Sequence, residues 1–264
     1  MTKAASRVGI RRVEYPNYHR YQIDGKWAIG VTTALKGIPK DALKIWSART
    51  VAEHVADHID DVKRMLTNGG RGPTVHYLKE LPNQKRDTAA IRGTEVHELA
   101  VDYIRGEEID LTGREHLEPY VRGYAAYIDD WNPTTVHEEL VVANRKHGYA
   151  GTLDSIQDIP ALGRALVDYK TSGGVYGEYA LQIAAYRQAE VYLDEDGNEH
   201  PMLPVDRTFI LHIQPDDYDL IPVETGEDAF RKYLAAQANY LENVQSKKLD
   251  KLIGLPLEPP ERAA

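Results

Sequence analysis

The chain has 264 residues, 42% of them hydrophobic and 28% charged, with 41 acidic against 32 basic side chains and a formal net charge of −9. That length and balance support a folded domain with a sizeable core and exclude a wholly disordered polypeptide. The absence of cysteine excludes disulfides, thiolate nucleophiles, Cys-ligated zinc and cysteine-held iron–sulfur clusters. No run of about 18 apolar residues occurs, so no membrane span is expected. The opening MTKAASRVGIRRVEY has no apolar signal segment, so a cytoplasmic location is expected. The acidic total is unevenly spread. Residues 1–92 carry 17 Lys and Arg against 9 Asp and Glu, and the remainder carries 15 against 32. Because salt screens fields within about 8–10 Å, a local basic face can still attract a polyanion.

Residues 11–35 alternate polar and apolar around turn signals at Asn17 and Asp24-Gly25, the pattern of a β-hairpin. Pro39 and Asp41 open a helix with apolar residues at Ile45, Ala48, Ala52, Val55, Ile59, Val62 and Leu66, which predicts one helix of about six turns. The cluster Asn68-Gly69-Gly70-Arg71-Gly72-Pro73 predicts a loop. A second helix is expected over about 85–105, with Ile91, Val96, Leu99, Ala100 and Ile104. A third runs from Pro119 through Tyr120, Tyr124, Tyr127 and Ile128 to Trp131, where Asn132-Pro133 stops it. Three strand-like runs follow, Val136–Val142, Tyr149–Gln157 and Arg164–Lys170, forming an antiparallel meander. A helix from about Glu178 to Leu193, a strand at Thr208–Gln214, a helix over about 227–247 and a frayed Pro-rich tail complete the chain. The order indicates one α/β domain with a helical, basic N-terminal part packed against it.

Chemistry concentrates in four short segments. In Val167-Asp168-Tyr169-Lys170-Thr171, strand alternation places Asp168 and Lys170 on one face, about 6.6–7 Å apart along the strand. Alone, they could form an ordinary same-face ion pair. Gly151-Thr152-Leu153-Asp154 sets a second carboxylate in the neighbouring strand, able to face Asp168. Paired carboxylates repel unless a cation neutralises them, and hard oxygen ligands suit Mg²⁺ or Mn²⁺. Arg92-Gly93-Thr94-Glu95-Val96-His97 adds an imidazole between Val96 and Ala100, a place that a core histidine would also take. Gln182 and Tyr186, at i and i+4, share one helical face, as a polar helix edge would.

In that order the segments RGTEVH, GTLD, VDYK and QIAAY resemble the PD-(D/E)XK nuclease superfamily, in its branch of RecB-like and CRISPR-associated or phage exonucleases. The motifs span about residues 90–190, and Gly30-Val31-Thr32-Thr33 and Trp46 extend the likeness weakly towards phage members. The resemblance implies a restriction-endonuclease-like core, a mixed sheet with an antiparallel meander flanked by helices, over 85–250. A hairpin and helical, DNA-contacting region over 1–84 and a flexible tail over 251–264 complete the expected organisation. It further implies that His97, Asp154, Asp168 and the Tyr169 carbonyl hold Mg²⁺ or Mn²⁺, with Glu138 a further acid in competition with Glu139. Lys170 would act with Asp168 and Asp154 in catalysis, while Gln182, Tyr186 and Arg92 would contact substrate. Many relatives carry a four-cysteine iron–sulfur cluster, which this sequence cannot form, so the likeness leans towards cluster-free phage exonucleases.

The implied activity is metal-dependent hydrolysis of DNA phosphodiesters, from the ends of linear DNA, in phage or bacterial recombination, repair or replication. A homo-oligomer or a recombination partner protein fits the resemblance, since some phage relatives form rings around DNA. Arg7, Arg11, Arg12, Lys36, Lys40, Lys44, Arg49, Lys85, Arg86 and Arg92 are candidate backbone contacts, and Tyr15, Tyr18, Tyr21 and Trp27 candidate stacking surfaces. A zinc hydrolase is disfavoured, because Val55 follows His54 where H-E-x-x-H needs Glu, and position 101 is Val. No phosphate-loop or G-x-S-x-G motif is present. The remaining rivals are a structure-specific endonuclease and a non-catalytic DNA-binding or assembly module on a nuclease-like fold.

Overall fold

The computed structural model describes residues 9–16, 18–244 and 254. Arg7, the turn residue Asn17, the expected helix end at 245–247 and the tail over 251–264, Gly254 aside, lie outside the described residues.

Three N-terminal strands, β1 (Ile10–Tyr15), β2 (Tyr18–Ile23) and β3 (Lys26–Gly30), form antiparallel neighbours. Asp24 and Gly25, both at positive φ, make the second turn. The meander β4 (Thr134–Asn144), β5 (Tyr149–Ile159) and β6 (Gly163–Lys170) pairs antiparallel as the sequence indicates. Between these sets run a single turn α1 (Val31–Ala34) and the helices α2 (Asp41–Asp57), α3 (Ile59–Gly69), α4 (Arg71–Arg105) and α5 (Glu118–Trp131). After the meander come α6 (Glu178–Arg187), β7 (Val191–Leu193), β8 (Glu199–Pro201), β9 (Arg207–Gln214), β10 (Asp217–Pro222) and α7 (Glu227–Asn239). Among the described residues all strands belong to one 10-stranded mixed sheet, in which β3 joins β5 in parallel and β6 joins β9 in parallel. The N-terminal hairpin is therefore continuous with the main sheet.

Several boundaries differ from the sequence pattern. The long N-terminal helix is two helices: His58 leaves helical geometry (φ −126°, ψ 37°), and Asp60 and Asp61 fall in the first turn of α3, where carboxylates favour a helix start. The expected loop at 68–73 shrinks to a joint at Gly70, whose φ of 77° suits glycine. Helix α4 starts at Arg71, and Pro73 in its first turn needs no intrahelical donor. It runs 35 residues with Pro82 inside, so the division at 84/85 falls within one continuous helix. The helix expected to reach Leu193 ends at Arg187; Val191–Leu193 instead pairs with β4, as a Val-Tyr-Leu run favours. The last helix ends at Asn239 and passes into a wider turn over Tyr240–Val244.

Helices cover both faces of the sheet. On one face Val31, Leu140, Leu153, Leu166, Ile183, Tyr186 and Tyr233 bring α1, α6 and α7 onto the strands. On the other, Val96, Leu99, Tyr124, Tyr127, Val167, Tyr169 and Leu211 bring in α4 and α5. Alternation in β6 thus sends Leu166, Asp168 and Lys170 towards α6 and Val167 and Tyr169 towards α4 and α5. Among the described residues no helix is long and apolar enough to cross a membrane.

Candidate active site

The site lies where the sheet forks. One edge of β5 pairs with β3 at Tyr149 and Ala150 and with β6 from Ser155 onward. Residues 151–154 lie between these two pairings, and a cleft of about 660 Å³ opens there. Gly151, Thr152, Asp154, His97, Glu139, Lys170, Gln182 and Tyr186 line it. Gly151 is required by packing: a Cβ there would stand 2.7 Å from Tyr186 Cε1 and 3.0 Å from Val31 Cγ2.

Asp154 terminates the β5–β6 ladder with its own side chain. Its Oδ2 accepts from the Tyr169 backbone N–H at 2.6 Å. The other oxygen, Oδ1, faces His97 Nδ1 at 3.8 Å. His97 Nε2 lies 3.1 Å from the Tyr169 carbonyl. A carbonyl only accepts, so Nε2 carries the proton and Nδ1 is left as the lone-pair nitrogen on the Asp154 side. Helix α4 holds this ring by burying Val96, Leu99 and Ala100 beside it.

Asp168 is fully buried and forms an ion pair with Lys170. Its Oδ1 also accepts from Gln182 Nε2 at 3.1 Å, and the same amide donates to Tyr186 Oη at 3.3 Å. Burial raises the Asp168 pKa to about 6, against the pull of the Lys170 ammonium; Asp154 adds repulsion. Burial opposes the charge on Lys170, but Asp168 and then Asp154 outweigh it and its pKa is raised. The Lys170 amine donates to the Tyr169 carbonyl at 3.2 Å and sits 5.0 Å from the centre of the Tyr179 ring.

His97, Glu139 and Asp154 offer donor atoms that all lie within 4.8 Å of one another. One neutral imidazole nitrogen and two carboxylates make a donor set fit for a divalent cation of the Mg²⁺ or Mn²⁺ kind. The acid in this group is Glu139. Glu138 instead turns to Arg105, whose Nε and Nη2 donate at 2.7 and 2.6 Å. The reason is local: Glu139 takes a left-handed φ of 49° in mid-strand, which breaks simple alternation. Burial first, and the Asp154 charge second, raise the Glu139 pKa.

The cleft thus brings together His97, Asp154, Lys170, Gln182 and Tyr186, with Asp168 directly behind Lys170. The Tyr169 carbonyl faces the group, but His97 and Lys170 already donate to it. Gln182 holds Asp168. Arg92 is outside the cleft lining: its Nη2 donates to the Thr171 carbonyl at 3.2 Å, and its guanidinium stacks on Tyr120. Tyr179 escaped the sequence reading; it lies in the first turn of α6, behind the lysine. The opposite wall comes from β1–β3, with Arg12 bonded to Thr152 at 3.3 Å, Tyr21 to Thr152 at 2.8 Å, and Arg20 stacked 3.8 Å above Trp27.

No protein-family description matches the sequence, and no curated protein matches it significantly. Among solved structures, the protein SSO0001 is 15% identical with a TM-score of 0.34, covering 81% of this chain and 74% of that one. An alkaline exonuclease from Laribacter hongkongensis is 14% identical with a TM-score of 0.33, covering 61% of this chain and 86% of that one. The chemistry of the cleft rests on its own side chains.

Proposed function

We propose that the cleft hydrolyses DNA phosphodiester bonds in the presence of Mg²⁺ or Mn²⁺, acting as an exonuclease on the ends of linear DNA in recombination, repair or replication. The observation that carries this reading is the convergence of His97, Glu139 and Asp154 within 4.8 Å in a cleft that Lys170 also lines. His97, Glu139 and Asp154 would hold the cation, which supplies charge neutralisation at the phosphate and a bound water of lowered pKa.

The chain's own groups do the rest. The buried Asp168 fixes the ammonium of Lys170 at the edge of the cleft, where its protons can orient a water and offset charge developing on a phosphoryl oxygen. Gln182 fixes Asp168, and Tyr179 backs the lysine. Arg12 and Arg20 on the facing wall supply positive charge for the phosphate backbone. The donor set of His97, Glu139 and Asp154 beside Lys170 favours catalysis over a purely structural DNA-binding module, which needs no such set.

End-labelled linear DNA incubated with and without Mn²⁺ or Mg²⁺ tests the proposal. Wild type releases nucleotides only with metal, and Asp168→Ala and Lys170→Ala release none. Equal release by either variant would refute it. Covalently closed circles remain intact if the enzyme needs ends; cut circles would replace the exonuclease with an endonuclease.

A further inference from the structure

Helices α2 and α4 enclose a second depression, about 640 Å³ in volume, outside the cleft. Its floor is Leu43, Trp46, Ala48, Val51 and Pro82, and its rim is Lys40, Lys44, Lys79 and Arg86, with no acidic side chain in the lining. Helix α2 buries almost nothing: Ile45 is 69% exposed, Leu43 43% and Trp46 38%, and Thr50 is its one buried residue. Trp46 has no ring or cation partner among the described residues, unlike Trp27, which Arg20 covers. Leu43 and Trp46 are thus turned outward, beside four cations.

We infer that this groove binds single-stranded DNA, with bases against Trp46 and the apolar floor and phosphates on the lysine and arginine rim. The inference deepens the nuclease reading and rests on it for the identity of the strand. Charge and shape favour this occupant. An apolar floor with an unstacked tryptophan and a rim of lysine and arginine suits a polymer that alternates flat rings and anions. Lys79 has no carboxylate partner among the described residues, and the pairs Lys44–Asp41 (2.9 Å) and Arg86–Asp87 (2.9 Å) are exposed and weak enough to exchange for phosphate.

The groove is also joined to the cleft. Lys40 on its rim pairs with Glu178 at 3.1 Å, and Glu178 lies one turn, about 6 Å, before Gln182 on α6. Arg86 lies about 16 Å along α4 from His97.

Binding is measured with a fluorescent deoxythymidine oligomer in EDTA, so that no hydrolysis intervenes. Trp46→Ala is expected to weaken binding about 5- to 100-fold, and Trp46→Phe to restore most of it. Lys79→Gln with Arg86→Gln is expected to flatten the slope of log affinity against log salt by about 1.4. The oligomer quenches wild-type tryptophan fluorescence more than that of Trp46→Phe. Circular dichroism melts of each variant verify folding. Unchanged affinity and salt slope in the folded variants would overturn the inference, as would tighter binding of a ribouridine oligomer. So would a groove variant that alters only the sedimentation of the protein, since the groove would then receive a second copy of the chain. Oligomer binding through the groove by a wild type that hydrolyses nothing with Mn²⁺ would remove the nuclease reading and leave the groove standing.

Discussion

Glu138 and Glu139 are consecutive in β4 yet serve different partners: Glu138 is clamped by the Arg105 guanidinium, and Glu139 meets His97 and Asp154 in the cleft. The positive φ of Glu139 separates them. Glu139→Gln should therefore cost at least about 100-fold in metal-dependent hydrolysis, since even residues that merely support a metal ligand are worth 10–100-fold. Glu138→Gln should keep activity within about tenfold of wild type, because its effect on the site is indirect. Rates on end-labelled DNA under saturating Mn²⁺ check both, and a reversed ranking would return Glu138 to the site.

Gln182 ties α6 to β6. Its amide donates to the fully buried Asp168, a charge-assisted bond. Gln182→Leu keeps the bulk and removes the donor, which should cost about 1.5–3 kcal/mol of stability. Urea unfolding measures this, and a loss below about 0.5 kcal/mol would show that Lys170 alone satisfies the carboxylate.

Gly151 is where close packing and chemistry meet. A methyl group there would press on Tyr186 and Val31 across the fork in the sheet. Gly151→Ala should destabilise the protein by about 1–3 kcal/mol through overpacking. It should also lower activity by shifting Asp154, three residues along β5. A variant as stable and active as wild type would mean that Tyr186 has room to move.

The hairpin β7–β8 carries a pH-dependent contact remote from the cleft. Asp194 accepts from His200 Nε2 at 2.7 Å and from the Asn198 backbone at 2.7 Å. The His200 bond, then the Asn198 backbone bond, lowers the Asp194 pKa from 3.8 to about 2. A carboxyl whose folded pKa lies below its unfolded value stabilises the fold above the unfolded value. That contribution is lost as pH falls from about 4 through about 2. Carbon NMR of the Asp194 carboxyl should give a midpoint near 2, and His200→Ala should move it back towards 3.8. A wild-type midpoint near 3.8 would show that the bonds are not kept in solution.

The meander and α5 were legible in the sequence because they depend on local pattern: period-two alternation, a Pro start and an Asn-Pro stop. What the sequence hid depends on long-range placement. Nothing local distinguishes Glu139 from Glu138, since the backbone at 139 is left-handed without being glycine. The stripe on α2 has the right period for a core and faces outward, because period reports one apolar face and not what covers it. The glycines at 69 and 70 signal a break, but the neighbouring helices close it to a single residue. Strand β8 is a three-residue edge element whose pairing partner creates it.

The acidic cluster in the cleft also sets stability against function. Glu139 and Asp154 repel each other without a cation: after burial, the Asp154 charge is the second cause that raises the Glu139 pKa. Replacing Glu139 by Gln removes that repulsion, so metal-free Glu139→Gln should melt higher than metal-free wild type, by an amount within about 1 kcal/mol for a solvent-accessible pair. Mn²⁺ should reverse the order. At 100 times its dissociation constant a bound ion adds about 2.7 kcal/mol to the wild type, while the variant binds too weakly to gain as much. Thermal melts of both proteins in EDTA and in Mn²⁺ give the four values needed. The crossing is specific to a metal centre: if Glu139 were a structural acid, the substitution would lower or raise both melts together, and parallel curves would end the assignment of His97, Glu139 and Asp154 as ligands.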